Sequence, residues 1–324
     1  TLDLLTSEER NLVKGLLINK FRGDLSLLES GLRFLEERTG KKVLGVLPFL
    51  PNLAVSEEDE IPEFKMRTRK SDAREILTVQ VIRLPHISNS TDFDALETEP
   101  DIALRYLAHA PRPQEALPDL LLLPGSKSTM ADLAYLRSSG LAEYIHRCHE
   151  AGARIIGLCG GYQMLGNMLL DPDRVESTSP SMEGLGLLDT VTTFEAEKTT
   201  VRIRAESLHG GEEITAYEIH MGRTEPADSL QPLFRIVENG GKPANRLEGS
   251  VSEDGSVWGT YLHGVFDAPA FRRQMLNSLR QRKGWAPVPV TSCSSTENAL
   301  NRLAQLVRDH VDLASLDRIL NGTS

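Results

Sequence analysis

Cysteine is scarce here: three residues in 324, at positions 148, 159 and 293. So few thiols cannot build a disulfide framework, and they point to a reducing compartment where a single thiol can serve as a nucleophile. Positive charge is also in deficit. The 36 Lys and Arg against 46 Asp and Glu leave a net charge of -10, which argues against nucleic acid as a partner. No apolar run approaches a membrane span, and no signal peptide opens the chain. The expected setting is cytoplasmic, with no membrane partner. An initiator Met is missing too: the chain starts at Thr1, which reads as a piece of a longer protein. A phosphate loop is lacking as well. Gly125-Ser-Lys-Ser-Thr129 invites that reading, but Ser126 stands where Gly must precede Lys, and Leu120 to Leu123 fill the upstream positions. No metal site is expected.

What is present is ordinary in bulk and specific in detail. Hydrophobic residues make up 40%, normal for a globular chain long enough for two domains. Leu12 to Asn19, Leu25 to Arg38 and Val43 to Leu47 read as strand, helix and strand, one crossover unit of an α/β sheet. Ser56 to Arg74 is charged and Pro-containing, acidic first and then basic from Lys65 to Lys70, and reads as a linker. A second α/β pattern follows, with strands at 76–84, 102–106, 120–123 and 155–158 and helices at 130–136 and 141–150. Beyond Asn167 the pattern turns β-rich, with strands at 187–194, 200–205, 214–219 and 257–261. Two helices close it, at 269–281 and 296–309.

The most informative run is Arg154-Ile-Ile-Gly-Leu-Cys-Gly-Gly-Tyr-Gln-Met-Leu-Gly166. An apolar strand delivers Cys159 onto a Cys-Gly-Gly turn, and a helix starts at once. That is the geometry of a nucleophile elbow with Cys in place of Ser. The glycines leave the sulfur uncovered, and the unpaired amides of the helix start favour negative charge beside them. A core cysteine at a strand end is the plain alternative.

A thiol nucleophile needs a base. His263 ends the strand Val-Trp-Gly-Thr-Tyr-Leu262 and precedes Gly264, and loops at strand ends carry chemistry. His146 and His149 lie on a helix and read as surface. An oxyanion needs backbone donors. Gly160, next after the thiol, supplies one, and Gly125, just after a buried strand, is the candidate for the second.

Several runs together resemble the cobyric acid synthase family, glutamine-dependent amidating enzymes of cobalamin biosynthesis. They are Leu123-Pro-Gly-Ser-Lys-Ser-Thr-Met-Ala-Asp-Leu133, Gly157 to Gly166, Tyr217-Glu-Ile-His-Met-Gly-Arg-Thr224 and Tyr261-Leu-His-Gly-Val-Phe-Asp267. Upstream, Ile18-Asn-Lys-Phe-Arg-Gly-Asp24 and Arg83-Leu-Pro-His-Ile-Ser-Asn89 with Asp92-Phe-Asp94 fit as well. The resemblance implies an α/β fold in two parts. A class I glutamine amidotransferase domain, a mixed sheet flanked by helices, is expected at 75–324. The linker at 56–74 and, at 1–55, the C-terminal part of a dethiobiotin-synthetase-like P-loop domain would precede it. Cys159 would form a glutamyl thioester, with His263 moving protons and the Gly125 and Gly160 amides holding the oxyanion. Gln163 and Tyr217 would bind glutamine, and Asn19 would touch a nucleotide base. ATP with Mg²⁺ would drive amidation of the b, d, e and g carboxylates of adenosylcobyrinic acid a,c-diamide, the corrinoid partner. The glutaminase part itself would bind no cofactor, and the ATP step would lie outside this partial chain.

Two departures stand out. Many class I amidotransferases carry Glu two residues after the catalytic His, and here that position is Val265. Asp267 and Glu218 are the candidates to orient the ring, without a choice between them, and the resemblance suggests that lacking this Glu is normal in the corrinoid branch. The phosphate-binding loop of the family is the second absence. His86, Asn89, Asp92 and Asp94 sit on a turn-rich loop and read first as turn caps. Cys148 and Cys293 read as structural. Alternatives are cobyrinic acid a,c-diamide synthase, the amidotransferase subunit acting on lipid II, a cysteine hydrolase of the same fold, or a non-catalytic amidotransferase-like binding module.

Overall fold

The computed structural model describes residues 2–50, 75–290 and 295–322; the linker expected at 56–74 and Cys293 lie outside them. Two compact units emerge, one formed by Thr1–Glu57 with Cys293–Ser324 and the other by Glu58–Ser292.

In the first unit, β1 (Leu16–Phe21) and β2 (Val43–Pro48) pair in parallel. Helix α1 (Leu25–Thr39) connects them, capped by the Asp24 side chain and ended by Gly40 at φ 64°. The first strand starts later than its apolar run suggests, because Thr6 and Glu9 form a capping box that turns Ser7–Leu12 into a short helix. The C-terminal helices Ser295–His310 and Leu313–Leu320 belong to this unit. Asp312 donates its N–H to Leu44 O at 2.7 Å, and Lys42 Nζ pairs with Asp312 at 2.6 Å. The expectation that a single domain runs from 75 to 324 is therefore corrected from 293 onward. The physical reason is long-range: Val311 makes a β-bridge to Gly45, a pairing that no local pattern encodes.

The second unit is built on a six-stranded sheet. Its strands in chain order are β3 (Leu77–Ile82), β4 (Ile102–Leu107), β5 (Leu120–Leu123) and β6 (Arg154–Leu158). Helices α2 (Thr129–Ser138) and α3 (Leu141–Glu150) join β5 to β6, and α4 (Gly160–Leu165) follows β6. Spatially β6 is flanked by β5, then β3 and β4, all parallel. Leu120, Leu122, Ile156 and Leu158 enter one apolar cluster, while Leu121, Leu123 and Ile155 enter the other. Burial on both faces explains why these strands read as unbroken apolar runs.

A second, mostly antiparallel sheet stands beside it. Strands β7 (Thr190–Ser207) and β8 (Glu213–Pro226) pair along nearly their whole length, with an irregularity between Thr193 and Lys198. The two strands expected at 187–194 and 200–205 are thus one strand interrupted by a bulge, which resets the alternation. The hairpin β9 (Phe234–Asn239) and β10 (Lys242–Glu248) was not expected. Its signal was the pair Gly240 and Gly241, at φ 58° and 80°, the turn a two-residue hairpin needs. Strand β11 (Ser250–Val251) and then β12 (Val257–Thr260) complete the six-stranded sheet, with β12 parallel to β6. The chain then crosses over at once: β13 (Leu262–His263) pairs with β8 in the other sheet. Helix α5 (Pro269–Arg282) follows. Its Arg272, Arg273 and Arg280 are locked in a buried ion network with Glu99, Asp101 and the half-exposed Glu75.

Candidate active site

Cys159 sits at the bend between β6 and α4 with φ 50° and ψ -110°. A side chain rarely adopts that conformation, and surrounding structure must enforce it. Glycines make the enforcement sterically feasible. A Cβ on Gly161 would meet Leu123 O at 2.1 Å, and one on Gly157 would meet the Gly161 carbonyl at 2.6 Å. The end of β6 and the start of α4 therefore fold back on each other with no room for side chains. The Cys159 N–H donates to Thr260 O at 2.8 Å, tying the bend to β12. Its Sγ lies 3.5 Å from Ile219 O on β8.

The crossover from β12 to β13 brings His263 to the sulfur. There the Cys159 sulfur and the His263 ring lie close enough to influence each other electrostatically. On the far side of the ring, His263 Nδ1 donates to Asp92 Oδ2 at 2.7 Å, and Gly264 N donates to Asp92 Oδ1 at 2.8 Å. Burial alone would pull the imidazolium down in pKa, but the hydrogen bond to Asp92 and the influence of Asp92 and Cys159 beside the ring overcome it and hold the ring well above the usual imidazole range. The buried carboxylate bonded to Nδ1 therefore favours the charged form of the ring. Tyr217 stacks on the ring at 5.1 Å between centroids, and burial pushes its hydroxyl up to about 12. Asn89 Nδ2 stands 3.0 and 3.1 Å from the two ring nitrogens.

Asp92 is the acid that the sequence reading missed. Of the two acids expected to orient the ring, Glu218 is buried but held by Arg246 Nη2 at 2.7 and 2.8 Å. Asp267 has no hydrogen bond to the ring among the described contacts; burial and the neighbouring Asp92 charge raise its pKa. Asp92 lies in a short 3-10 turn, Ser90–Phe93, far from His263 in sequence, so residue spacing carried no cue. The only signal was its place in a turn-rich loop at a strand end.

The expected oxyanion donors are close by. Gly125 lies beside the ring: a Cβ there would stand 3.4 Å from His263 Cε1 and 2.7 Å from Ser88 Oγ. Gly160 is the first residue of α4, where an amide has no partner within the helix. A Cβ on it would stand 2.9 Å from Ser126 N. Asp132, fully buried, steadies this loop by accepting from Ser126 Oγ at 2.6 Å, with the His86 ring at 2.8 Å.

Gln163 differs from its expectation. It is neither solvated nor open to a ligand: it is 2% exposed. Its amide donates to Met221 O at 3.0 Å and Tyr261 Oη at 3.1 Å, and its carbonyl accepts from Thr129 Oγ1 at 3.1 Å. It ties α2, α4, β8 and the β12–β13 crossover together behind the thiol. Asn19 lies in the first unit, exposed, with its Oδ1 accepting from Lys20 N at 2.9 Å. That bond is local, between neighbours on β1. Among the described residues no group of three metal-ligating side chains converges, and no helix is long and apolar enough to cross a membrane.

Known proteins bear on these features directly. The model of the CobB/CobQ-like glutamine amidotransferase domain matches residues 78–271. The whole chain is 45% identical to a cobyric acid synthase of Limosilactobacillus reuteri (strain DSM 20016), and 99% of it is 41% identical to one of Alkaliphilus metalliredigens (strain QYMF). It spans 64% and 65% of the length of those relatives. A solved structure of PurLQS from Thermotoga maritima superposes on 63% of the chain and 99% of its own, with 20% identity and a TM-score of 0.48. The mixed sheet, the elbow cysteine and the family match over 78–271 agree: this chain belongs to the CobB/CobQ-like glutamine amidotransferases and has their class I fold.

Proposed function

We propose that this chain is the glutaminase part of a cobyric acid synthase. The observation that carries the reading is the grouping of Cys159, His263 and Asp92, with the ring beside the elbow sulfur and bonded to a buried carboxylate at 2.7 Å. Cys159 attacks the side-chain amide carbon of glutamine. The oxyanion forms against the Gly125 and Gly160 amides. His263 donates a proton to the departing nitrogen, ammonia leaves, and a glutamyl thioester remains. The ring then takes a proton from water, which hydrolyses the thioester to glutamate. Asp92 holds the ring in the productive tautomer and balances its charge. Tyr217 forms a wall of the glutamine pocket, and Gln163 shapes that pocket from behind.

The ammonia is used by a synthetase that amidates the b, d, e and g carboxylates of adenosylcobyrinic acid a,c-diamide at the expense of ATP and Mg²⁺. The 41–45% identities to cobyric acid synthases support this over the related a,c-diamide synthase and lipid II enzymes. Residues 1–55 are read as the end of that ATP-binding domain. Asn19 is the proposed contact to a nucleotide base there, and no ATP step is assigned to this chain alone. The setting is cytoplasmic. The test is glutamate release from glutamine by the purified chain: activity is expected in wild type and absent in Cys159→Ala. Release that survives Cys159→Ala would overturn the reading.

A further inference from the structure

A buried carboxylate that no catalytic step uses lies behind the junction of the two sheets. Glu248, the last residue of β10, is 5% exposed. Its Oε2 accepts from Thr260 Oγ1 at 2.5 Å, and its Oε1 accepts from Tyr261 N at 2.7 Å. Thr260 and Tyr261 are where the chain leaves β12 for β13. On one side, Thr260 O receives the Cys159 N–H at 2.8 Å. On the other, Leu262 and His263 pair with Glu218 and Tyr217 of β8. Thr260 Oγ1 also accepts from Leu262 N at 3.0 Å. The Glu248 carboxylate thus grips the segment that fixes the distance between nucleophile and base.

We propose that Glu248 is a positioning residue for the Cys159–His263 pair, locking the strand crossover while ionised and loosening it when protonated. The inference rests on the reading of Cys159 and His263 as a catalytic pair. Its chemistry follows from hydrogen-bond counting. An ionised carboxylate only accepts, and both of its partners donate. A proton on Oε2 would face the Thr260 hydroxyl proton, so that hydroxyl must turn and the grip is rebuilt. The groups around it set when this happens. Burial raises the carboxyl, the Thr260 and Tyr261 donors lower it, Glu218 on β8 raises it and Arg246 on β10 lowers it, leaving it at about 7. Tyr162 on α4, bonded to Ser250 Oγ at 2.7 Å, faces the same carboxylate and, with its own pKa raised by burial, stays neutral in this range.

The experiment measures the rate of Cys159 alkylation by iodoacetamide against pH, read by mass spectrometry of the Cys159 peptide, alongside glutamate release. Wild type should show an acid step in alkylation near pH 7. Glu248→Gln should lose that step and react roughly tenfold more slowly above it, because a misplaced pair reacts poorly. Thr260→Val keeps the carboxylate but removes a donor that favours its ionised form, so the step should move to higher pH. A wild type with no step near neutral pH, whatever the variants do, overturns the proposal. So does a step that stays put in both variants. Alkylation needs no glutamine, so a chain that shows the step without releasing glutamate would refute the glutaminase reading and leave the positioning role standing.

Discussion

Asp92→Asn isolates the charge of the orienting acid from its shape. The substitution preserves volume and can keep the 2.8 Å bond from Gly264 N. It replaces the acceptor of the 2.7 Å bond from His263 Nδ1 with an amide that cannot balance a charged ring. A hydrogen bond to a charged group contributes about 1.5–3 kcal/mol, and about 1.4 kcal/mol is a factor of ten. The kcat for glutamate release should therefore fall about ten- to a hundredfold. KM should change little, because Asp92 is 3% exposed and lies behind the ring, away from the sulfur. The assay is coupled glutamate detection, with thermal melting followed by circular dichroism as a control for folding. Asp267→Asn serves as the comparison, since Asp267 makes no bond to the ring. An Asp92→Asn enzyme within about twofold of wild type, or an Asp267→Asn enzyme that loses as much, would refute the assignment of the acid.

Other outcomes follow from the same geometry. Gly160→Ala should cut glutamate release about tenfold or more while the protein stays folded, because its Cβ would press on Ser126 N at 2.9 Å and shift the oxyanion donors. Gly161→Ala, with Leu123 O at 2.1 Å, should instead show as lost stability in urea unfolding, about 1–3 kcal/mol. Arg273→Ala should cost about 3–5 kcal/mol in the same assay, since it leaves the buried Glu99 and Asp101 short of a cation. His263 has a folded pKa above its unfolded value. Its contribution to stability is therefore complete below about pH 6.5 and is lost as pH rises through about 10. Melting temperature should fall over that alkaline range in wild type, and the slope should flatten in His263→Gln.

Some of this was written locally in the chain. The elbow could be read because its requirements are local: a buried strand, a thiol and three glycines between Ile155 and Gly161, with the close approaches at Gly157 and Gly161 as the reason. The parallel strands could be read because burial on both faces leaves an unbroken apolar mark at Leu120–Leu123. His263 stood out for a related reason, at the end of an apolar strand and before a glycine. Gln163 was legible as a residue of interest, but its use was not, because a buried amide and a solvated one look alike in sequence.

The partners of these residues were decided only by the tertiary fold. Asp92 reaches His263 because the turn after β3 and the end of β13 arrive at the same corner, and Glu248 reaches Thr260 because a hairpin and a crossover meet. The return of residues 293–324 to the first unit is of the same kind. Backbone preferences and apolar periodicity act over a few residues, so the chain itself specifies strands, turns and the bend that carries the sulfur. Which carboxylate meets which donor depends on contacts between segments far apart in sequence, and these exist only once the sheets have formed.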